Sequence, residues 1–211
     1  MLTINNATLG FDDTPLIHDF SIEVKAGEII LITAPSGYGK STLLSWISGM
    51  PSPHLQAHGE IYLNDTSIHD LPIEKRAIGM IFQDPLMFPH LTVAGNLAFG
   101  ISRDQTTGSR KDVIDQALHN IGLAGLGDRD AMTLSGGQKA RVALMRSLLA
   151  NPRALLLDEP FSGLDGKTRD DFAQLVKQEI RARNLPVLMV SHDPRDTDYA
   201  DKPAISLEKD T

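Results

Sequence analysis

A glycine-rich segment near the start of the chain has residue types that bind phosphate. Residues 34–42 read Ala-Pro-Ser-Gly-Tyr-Gly-Lys-Ser-Thr and follow an apolar run that ends at Thr33. This is the spacing of a P-loop, with Ala34 where that pattern has its first glycine. Glycines let backbone N–H groups close on phosphate oxygens, and the positive end of the following helix faces them. We therefore predict a nucleotide-phosphate site. Its candidate residues are Pro35, Ser36, Gly37, Tyr38, Gly39, Lys40, Ser41 and Thr42.

Two carboxylates, Asp158 and Glu159, end a second apolar run further along the chain. In a P-loop ATPase, Lys40 would contact the β- and γ-phosphates, and Ser41 and Asp158 would bind Mg²⁺. Glu159, one residue later, could orient the attacking water as a general base. The pair could instead cap its strand or a following helix, but the preceding phosphate loop favours the catalytic interpretation.

A second anion site is predicted at residues 134–138, which read Leu-Ser-Gly-Gly-Gln. A helical pattern, Lys139 to Ala150, follows directly, so Ser135, Gly136, Gly137 and Gln138 would lie at a helix N-terminus. Such an end presents free N–H groups to anions. Together, residues 34–42 and 134–138 predict an ATP site built in two parts.

Together these residues resemble the ATP-binding subunits of ABC transporters, through essentially the whole chain. In that family the motif matched by residues 134–138 contacts the γ-phosphate of ATP held by the opposite subunit. The resemblance implies ATP and Mg²⁺ as cofactors and a head-to-tail homodimer of ATPase subunits on ATP binding. It also implies transmembrane permease subunits as partners, with the chain at the cytoplasmic face of the plasma membrane.

The resemblance assigns roles to four further residues. Gln83 matches a glutamine that senses Mg²⁺ and water, so Gln83, Glu159 and His192 form the implied catalytic set. His192 matches a histidine that contacts the γ-phosphate. Asp165 matches the acid of a loop that crosses the dimer interface, although Gly163 stands where the family more often has alanine. Phe11 lies where relatives stack an aromatic ring on adenine; by itself it would be taken as a core residue.

The pattern of apolar residues predicts an α/β fold with a P-loop NTPase core. Alternating residues in the first third, such as 20–24 and 59–63, predict an N-terminal antiparallel β subdomain. Near-continuous apolar runs at 28–33, 153–158 and 186–191 predict a mainly parallel sheet covered on both faces. Residues 84–150 show helical patterns and predict a helical subdomain inserted in a single ABC-type domain, residues 1–211. Residues 102–109 predict a polar loop.

Composition restricts the possible functions. A net charge of −7 argues against a broad nucleic-acid interface, which needs clustered Lys and Arg. The chain has no cysteine, no secretion signal and no apolar run of the roughly 20 residues that a spanning helix needs. We therefore expect a soluble cytoplasmic protein that does not bind nucleic acid.

An apolar segment after Gln83 is a candidate docking surface for a permease. It contains Leu86, Met87, Phe88 and Leu91, which could equally pack beneath the helical subdomain. Residues 88–93 resemble importer ATPases that work with a substrate-binding protein. The favoured function is therefore ATP hydrolysis that energises solute import. An ABC ATPase that drives a non-transport membrane machine is the alternative, and a nucleic-acid-associated clamp is less favoured.

Overall fold

The structure is a computed structural model that describes residues 1–12, 14–101 and 109–207. The predicted polar loop at 102–109 lies outside the described residues, except for Ser109. The strands are β1 (Leu2–Phe11), β2 (Thr14–Val24), β3 (Ile29–Thr33), β4 (Leu55–Leu63), β5 (Thr66–Ser67), β6 (Ile78–Ile81), β7 (Ala154–Asp158), β8 (Val187–Ser191) and β9 (Ile205–Ser206). The helices are α1 (Lys40–Ser48), α2 (Ile73–Arg76), α3 (Val93–Phe99), α4 (Arg110–Asn120), α5 (Gly136–Leu149) and α6 (Gly166–Arg183).

The chain forms two compact units. The first contains Met1–Met80, Arg153–Glu159 and Lys177–Thr211, and the second contains Ile81–Pro152 and Pro160–Val176. Within the described ranges, no helix combines the length and the apolar character needed to cross a membrane. The boundaries of the inserted subdomain and the assignment of one ABC-type domain stay predictions.

The described strands form two sheets. One has the order β2-β1-β4-β5 with antiparallel pairs, and the other has the order β6-β7-β8-β3-β9. In the second sheet, β3 pairs in parallel with β8 and β9, and β7 pairs in parallel with β8. The predicted α/β fold with a mainly parallel sheet and an N-terminal antiparallel sheet is confirmed.

The parallel strands are buried because their apolar runs are covered on both faces. Every residue of β7 and β8 is buried, and so are the first four residues of β3. In β4 the alternation of exposed and half-buried residues over its first six positions is that of an antiparallel strand with one solvated face. One core joins apolar side chains of both sheets with Leu43, Leu44 and Ile47 of α1.

The second unit is helical in its described part. Apolar residues of α3, α4 and α5 form its core, and Leu175 of α6 packs against that core. Side chains mark where these helices begin: Thr92 caps α3 by accepting from Gly95 N, and Ser109 caps α4 by accepting from Lys111 N. Such caps satisfy N–H groups that the first turn of a helix leaves without a partner.

Candidate nucleotide site

The phosphate loop joins β3 to α1 through two glycines in the left-handed region. Gly37 has φ 85° and Gly39 has φ 81°, a conformation that side chains with a Cβ rarely adopt. Gly39 is also crowded, because a Cβ there would lie 3.1 Å from Leu16 Cβ. Gly39 is the N-cap of α1, and no side chain caps this helix. The N–H groups of its first turn are therefore directed at whatever the loop encloses.

Lys40 closes the loop on itself. Its Nζ donates to the carbonyl oxygens of Ala34 at 2.6 Å and Pro35 at 3.0 Å, and the residue is only 5% exposed. Both of these acceptors are neutral. The loop therefore holds an ammonium group in place without neutralising it, which suits contact with phosphate oxygens.

Ser41 and Asp158 meet at the end of β7, as a shared metal site requires. Ser41 Oγ donates to Asp158 Oδ1 at 3.1 Å. Burial raises the pKa of Asp158, and the Ser41 hydrogen bond acts in the opposite direction. Among the described residues no group of three or more His, Cys, Asp or Glu side chains is placed to bind a metal. One carboxylate and one hydroxyl nonetheless suit Mg²⁺, which takes its remaining ligands from water and substrate phosphates.

Glu159 and His192 form a pair beside this carboxylate. His192 Nδ1 donates to Glu159 Oε1 at 2.8 Å, with the Glu159 side chain 13% exposed. The parallel register explains the contact, because Asp158 pairs with Val190 and each partner follows the end of its strand. Glu159 has φ 45°, which costs free energy in a residue other than glycine.

A buried acid that the sequence did not reveal fixes the backbone around His192. Asp196 is 2% exposed and accepts from Ser191 Oγ at 2.5 Å, while the same Oγ accepts from Asp193 N at 3.0 Å. The residues on both sides of His192 are thereby tied together. The spacing from Ser191 to Asp196 gave no signal by itself, because an acid after a strand is common in loops.

Arg76 binds the C-terminal end of α1, and the sequence pattern gave no sign of this contact. Its Nη1 donates to the carbonyls of Trp46 and Ile47 at 2.9 Å each, and its other nitrogens donate to Leu71 and His69. Burial lowers the pKa of this guanidinium. A cation at a helix C-terminus offsets the negative end of the helix dipole. Arg76 therefore stabilises the helix whose opposite end forms the phosphate loop.

The predicted second anion site lies at the start of α5, in the second unit. Ser135 Oγ accepts from Gln138 N at 3.3 Å, and Gln138 Oε1 accepts from Ser135 N at 3.0 Å. This reciprocal pair is a capping box. Gly136 and Gly137 form the turn between them, and Gly137 is buried.

Gln83 and Asp165 lie in the same unit as this helix. Gln83 Nε2 donates to Ser162 Oγ at 3.3 Å. Asp165 caps α6 by accepting from Thr168 N at 3.0 Å and Thr168 Oγ1 at 2.7 Å. These hydrogen bonds, the hydroxyl bond first, lower the pKa of Asp165. The hydrogen bond to Ser162 therefore joins Gln83 to residues 162–165, the segment that ends at Asp165.

Phe11 lies at the end of β1, where it pairs with Thr14 and Leu55. The next strand, β2, carries Leu16, whose Cβ lies 3.1 Å from the place that a Cβ at Gly39 of the phosphate loop would occupy. The strand after Phe11 therefore passes close to the loop, and no described contact joins the Phe11 ring to the loop.

An exposed apolar cluster follows Gln83 in the second unit. Leu86 is 54% exposed and Phe99 is 67% exposed, and the rings of Phe88 and Phe99 lie 4.4 Å apart. Arg146 holds the segment by donating to Leu86 O, and its guanidinium lies 5.0 Å from the Phe88 ring centre. Met87, which the sequence grouped with these residues, packs against the helical core instead.

Comparison with known proteins decides the family. The family model described as ABC transporter matches residues 17–162, more than half of the chain. The chain belongs to the ABC transporter family. It is 43% identical over 196 residues to the uncharacterized ABC transporter ATP-binding protein YnjD of Escherichia coli, covering 93% of this chain and 90% of that protein.

Two further members of the family are named for what they import. The thiamine import ATP-binding protein ThiQ of Haemophilus influenzae is 43% identical over 195 residues, covering 92% of this chain and 88% of that protein. The Fe(3+) ions import ATP-binding protein FbpC 2 of Haemophilus influenzae is 39% identical over 212 residues, covering 97% of this chain. The chain spans only 58% of that longer relative.

Solved structures of ABC proteins share the fold. CbiO1 of Clostridium perfringens, described as part of the ABC transporter complex cbiONQ, superposes with a TM-score of 0.81 at 28% identity, covering 95% of this chain and 82% of that one. The ATP-binding cassette MJ0796, a dimer bound to ADP and Pi in a post-hydrolysis state, gives 0.80 at 27% identity, covering 99% and 97%. This ABC protein is an ATP hydrolase that energises transport.

Proposed function

We propose that this chain is the ATP-hydrolysing subunit of an importer, in which a head-to-tail pair of subunits encloses ATP. One observation carries the proposal: Ser41 meets Asp158, and Glu159 meets His192, at the carboxyl ends of neighbouring parallel strands. Ligands in open α/β sheets bind outside these strand ends. Relatives named for the import of thiamine and of iron support the direction of transport.

Each residue has a proposed task in the chemistry. Lys40 and the N–H groups of α1 bind the phosphates, and Ser41 and Asp158 hold Mg²⁺. Gln83 keeps the task that the family resemblance implies for it, which is to sense Mg²⁺ and water. When bound, Mg²⁺ neutralises charge on the phosphates. Glu159 accepts the proton of the attacking water, and His192 orients the Glu159 carboxylate through their hydrogen bond. Phe11 would stack on the adenine.

A second subunit would complete the site. The start of α5 offers Ser135 and the N–H groups of Gly136 and Gly137 as a second phosphate surface, and Asp165 would lie at the dimer interface.

Linked dimers that carry Lys40→Ala and Ser135→Arg test whether two subunits share each ATP. If ATP is shared, the two lesions on opposite subunits fall in one composite site and leave the other intact. The same lesions on one subunit damage both sites, so the opposite arrangement should trap more nucleotide. The reverse ranking would contradict a shared site.

The permease would dock on the apolar cluster of Leu86, Phe88 and Phe99. A charge at Leu86 should prevent co-purification of membrane-spanning subunits without changing MgATP binding. We expect Leu86→Glu to show this separation, with Ile73→Glu, at an exposed apolar residue of the first unit, as the control. Retained co-purification in Leu86→Glu would contradict this docking surface. A complete system would also include a substrate-binding protein.

The central experiment replaces the proposed base. Glu159→Gln keeps the size of the side chain but cannot accept a proton, so hydrolysis should fall by roughly 10²–10⁴-fold while MgATP still binds. Turnover is measured by phosphate release, and binding by the shift in Tm with MgATP. Glu74→Gln, at an exposed position in α2, serves as the matched control. Equal turnover in Glu159→Gln and the wild type would contradict the proposal.

A further inference from the structure

Gly137 packs so closely against the start of α6 that a side chain does not fit. A Cβ at Gly137 would lie 2.3 Å from Thr168 Cγ2, far inside van der Waals contact. The φ of Gly137 is not in the left-handed region, and alanine is the better helix former. Backbone conformation therefore does not require glycine here. The Thr168 methyl group requires it.

Thr168 cannot readily turn that methyl group away. Its Oγ1 donates to Asp165 Oδ2 at 2.7 Å, and its backbone N donates to Asp165 Oδ1 at 3.0 Å. Threonine is branched at Cβ, so a change of rotamer that moves the methyl also moves the hydroxyl. The Asp165 carboxylate therefore fixes the rotamer, and the rotamer determines the space available at Gly137.

We propose that Thr168 is a positioning residue that couples the first turn of α5 to Asp165. This inference rests on the proposed function, in which both segments face the partner subunit. A displacement of one segment then displaces the other, and a Cβ at Gly137 would separate them. The neighbouring Gly136 provides a contrast, because a Cβ there would meet only Leu164 Cδ2, at 3.8 Å.

Two substitutions at Thr168 separate its two contacts. Thr168→Ser removes the methyl and keeps the hydroxyl bond to Asp165, whereas Thr168→Val keeps a methyl and loses that bond. We expect Gly137→Ala to lower kcat about tenfold or more with KM for ATP changed less than about twofold. Adding Thr168→Ser should restore kcat to within about threefold of the wild type. Adding Thr168→Val should not restore it. Gly166→Ala, where a Cβ would meet no atom within 4 Å, is the control and should keep the kcat of the wild type.

Several results would overturn the coupling. Wild-type activity in Gly137→Ala is one. Another is an equal fall in kcat in Gly137→Ala with and without Thr168→Ser, because Gly137 would then be needed for contact with the partner's nucleotide and not for contact with Thr168. A rise in KM that matches the fall in kcat would assign the contact to structure alone.

If Gly137→Ala does not fold, recovery of folded protein by Thr168→Ser supports the contact and no recovery contradicts it. A wild type that shows no MgATP shift contradicts the proposed function, whereas the Tm values of Gly137→Ala with and without Thr168→Ser still test the contact.

Discussion

Two helices in this protein begin in glycine-containing segments with the types of residue that bind anions, but their first turns differ. At α1 the N-cap is Gly39, no side chain caps the helix, and Lys40 binds carbonyls of its own loop. At α5 the N-cap is Ser135, and a reciprocal pair with Gln138 satisfies two donors internally. The first helix leaves its N–H donors to a ligand, whereas the second already satisfies part of its own.

This difference suggests a division of tasks between the two helices. An uncapped helix start is less stable alone and gains more from an anion, so α1 should provide most of the affinity for nucleotide. A capped start is stable without a ligand and keeps its shape until a partner's nucleotide arrives. The following substitutions test this comparison, beginning with the largest expected effect.

Lys40→Ala should weaken MgATP binding about 100-fold, because charge-assisted hydrogen bonds contribute about 1.5–3 kcal/mol each. Lys139→Ala, in the first turn of α5, is the matched control and should bind MgATP as the wild type does. Binding is measured by titrating the shift in Tm, with circular dichroism to verify the fold. If both variants lost binding equally, the two helix starts would not differ in the way proposed.

Gly39→Ala should lower the free energy of unfolding by about 1–3 kcal/mol, since the residue has positive φ and is crowded by Leu16. Gly136→Ala should change it by about 0.5 kcal/mol or less, because a Cβ there meets only ordinary contacts. Urea unfolding without nucleotide measures both. Equal losses would mean that conformational strain does not distinguish the two turns.

Ser135→Ala should lower the free energy of unfolding by about 1 kcal/mol, since it removes the oxygen that accepts from Gln138 N. Ser135→Asp keeps an acceptor and should stay near the wild type in the absence of nucleotide. No change in Ser135→Ala would show that the capping box does not stabilise α5.

Asp158→Asn should stabilise the nucleotide-free protein at pH 7 by about 1 kcal/mol or less. Burial holds the pKa of Asp158 above its ordinary value of 3.8, so ionisation costs more in the folded chain than in the unfolded one. The contribution of Asp158 to the free energy of unfolding is largest below pH 3.8. It is lost as the pH rises through the pKa that Asp158 has in the folded chain.

The gain in Asp158→Asn should therefore be present at pH 7 and vanish below pH 3.8, in Tm measured across pH. The same variant should show a smaller MgATP shift. A loss of stability at pH 7 without nucleotide would show that the Ser41 hydrogen bond outweighs burial.

Local patterns in the sequence were sufficient to predict several parts of this protein. The spacing that ends at Gly39 and Lys40 depends on a few adjacent residues, and so does the motif at Ser135. The buried strands β3, β7 and β8 were predicted because their apolar runs are continuous. The short strand β6 was not, since four residues interrupted by Gly79 carry little pattern. The family and its ATPase activity, inferred from these motifs, are confirmed by the comparisons, while the roles of individual residues stay predictions.

Only the tertiary structure decided which distant residues meet. Glu159 contacts His192 because β7 and β8 pair in parallel with a particular register, which neither strand's sequence encodes. Arg76 reaches the carbonyls that end α1 although about thirty residues separate them in the chain. The contact of Gly137 with Thr168 likewise depends on how two helices pack. Short-range patterns determine which element forms, but the order of strands and the packing of helices are set by contacts between residues far apart in the chain.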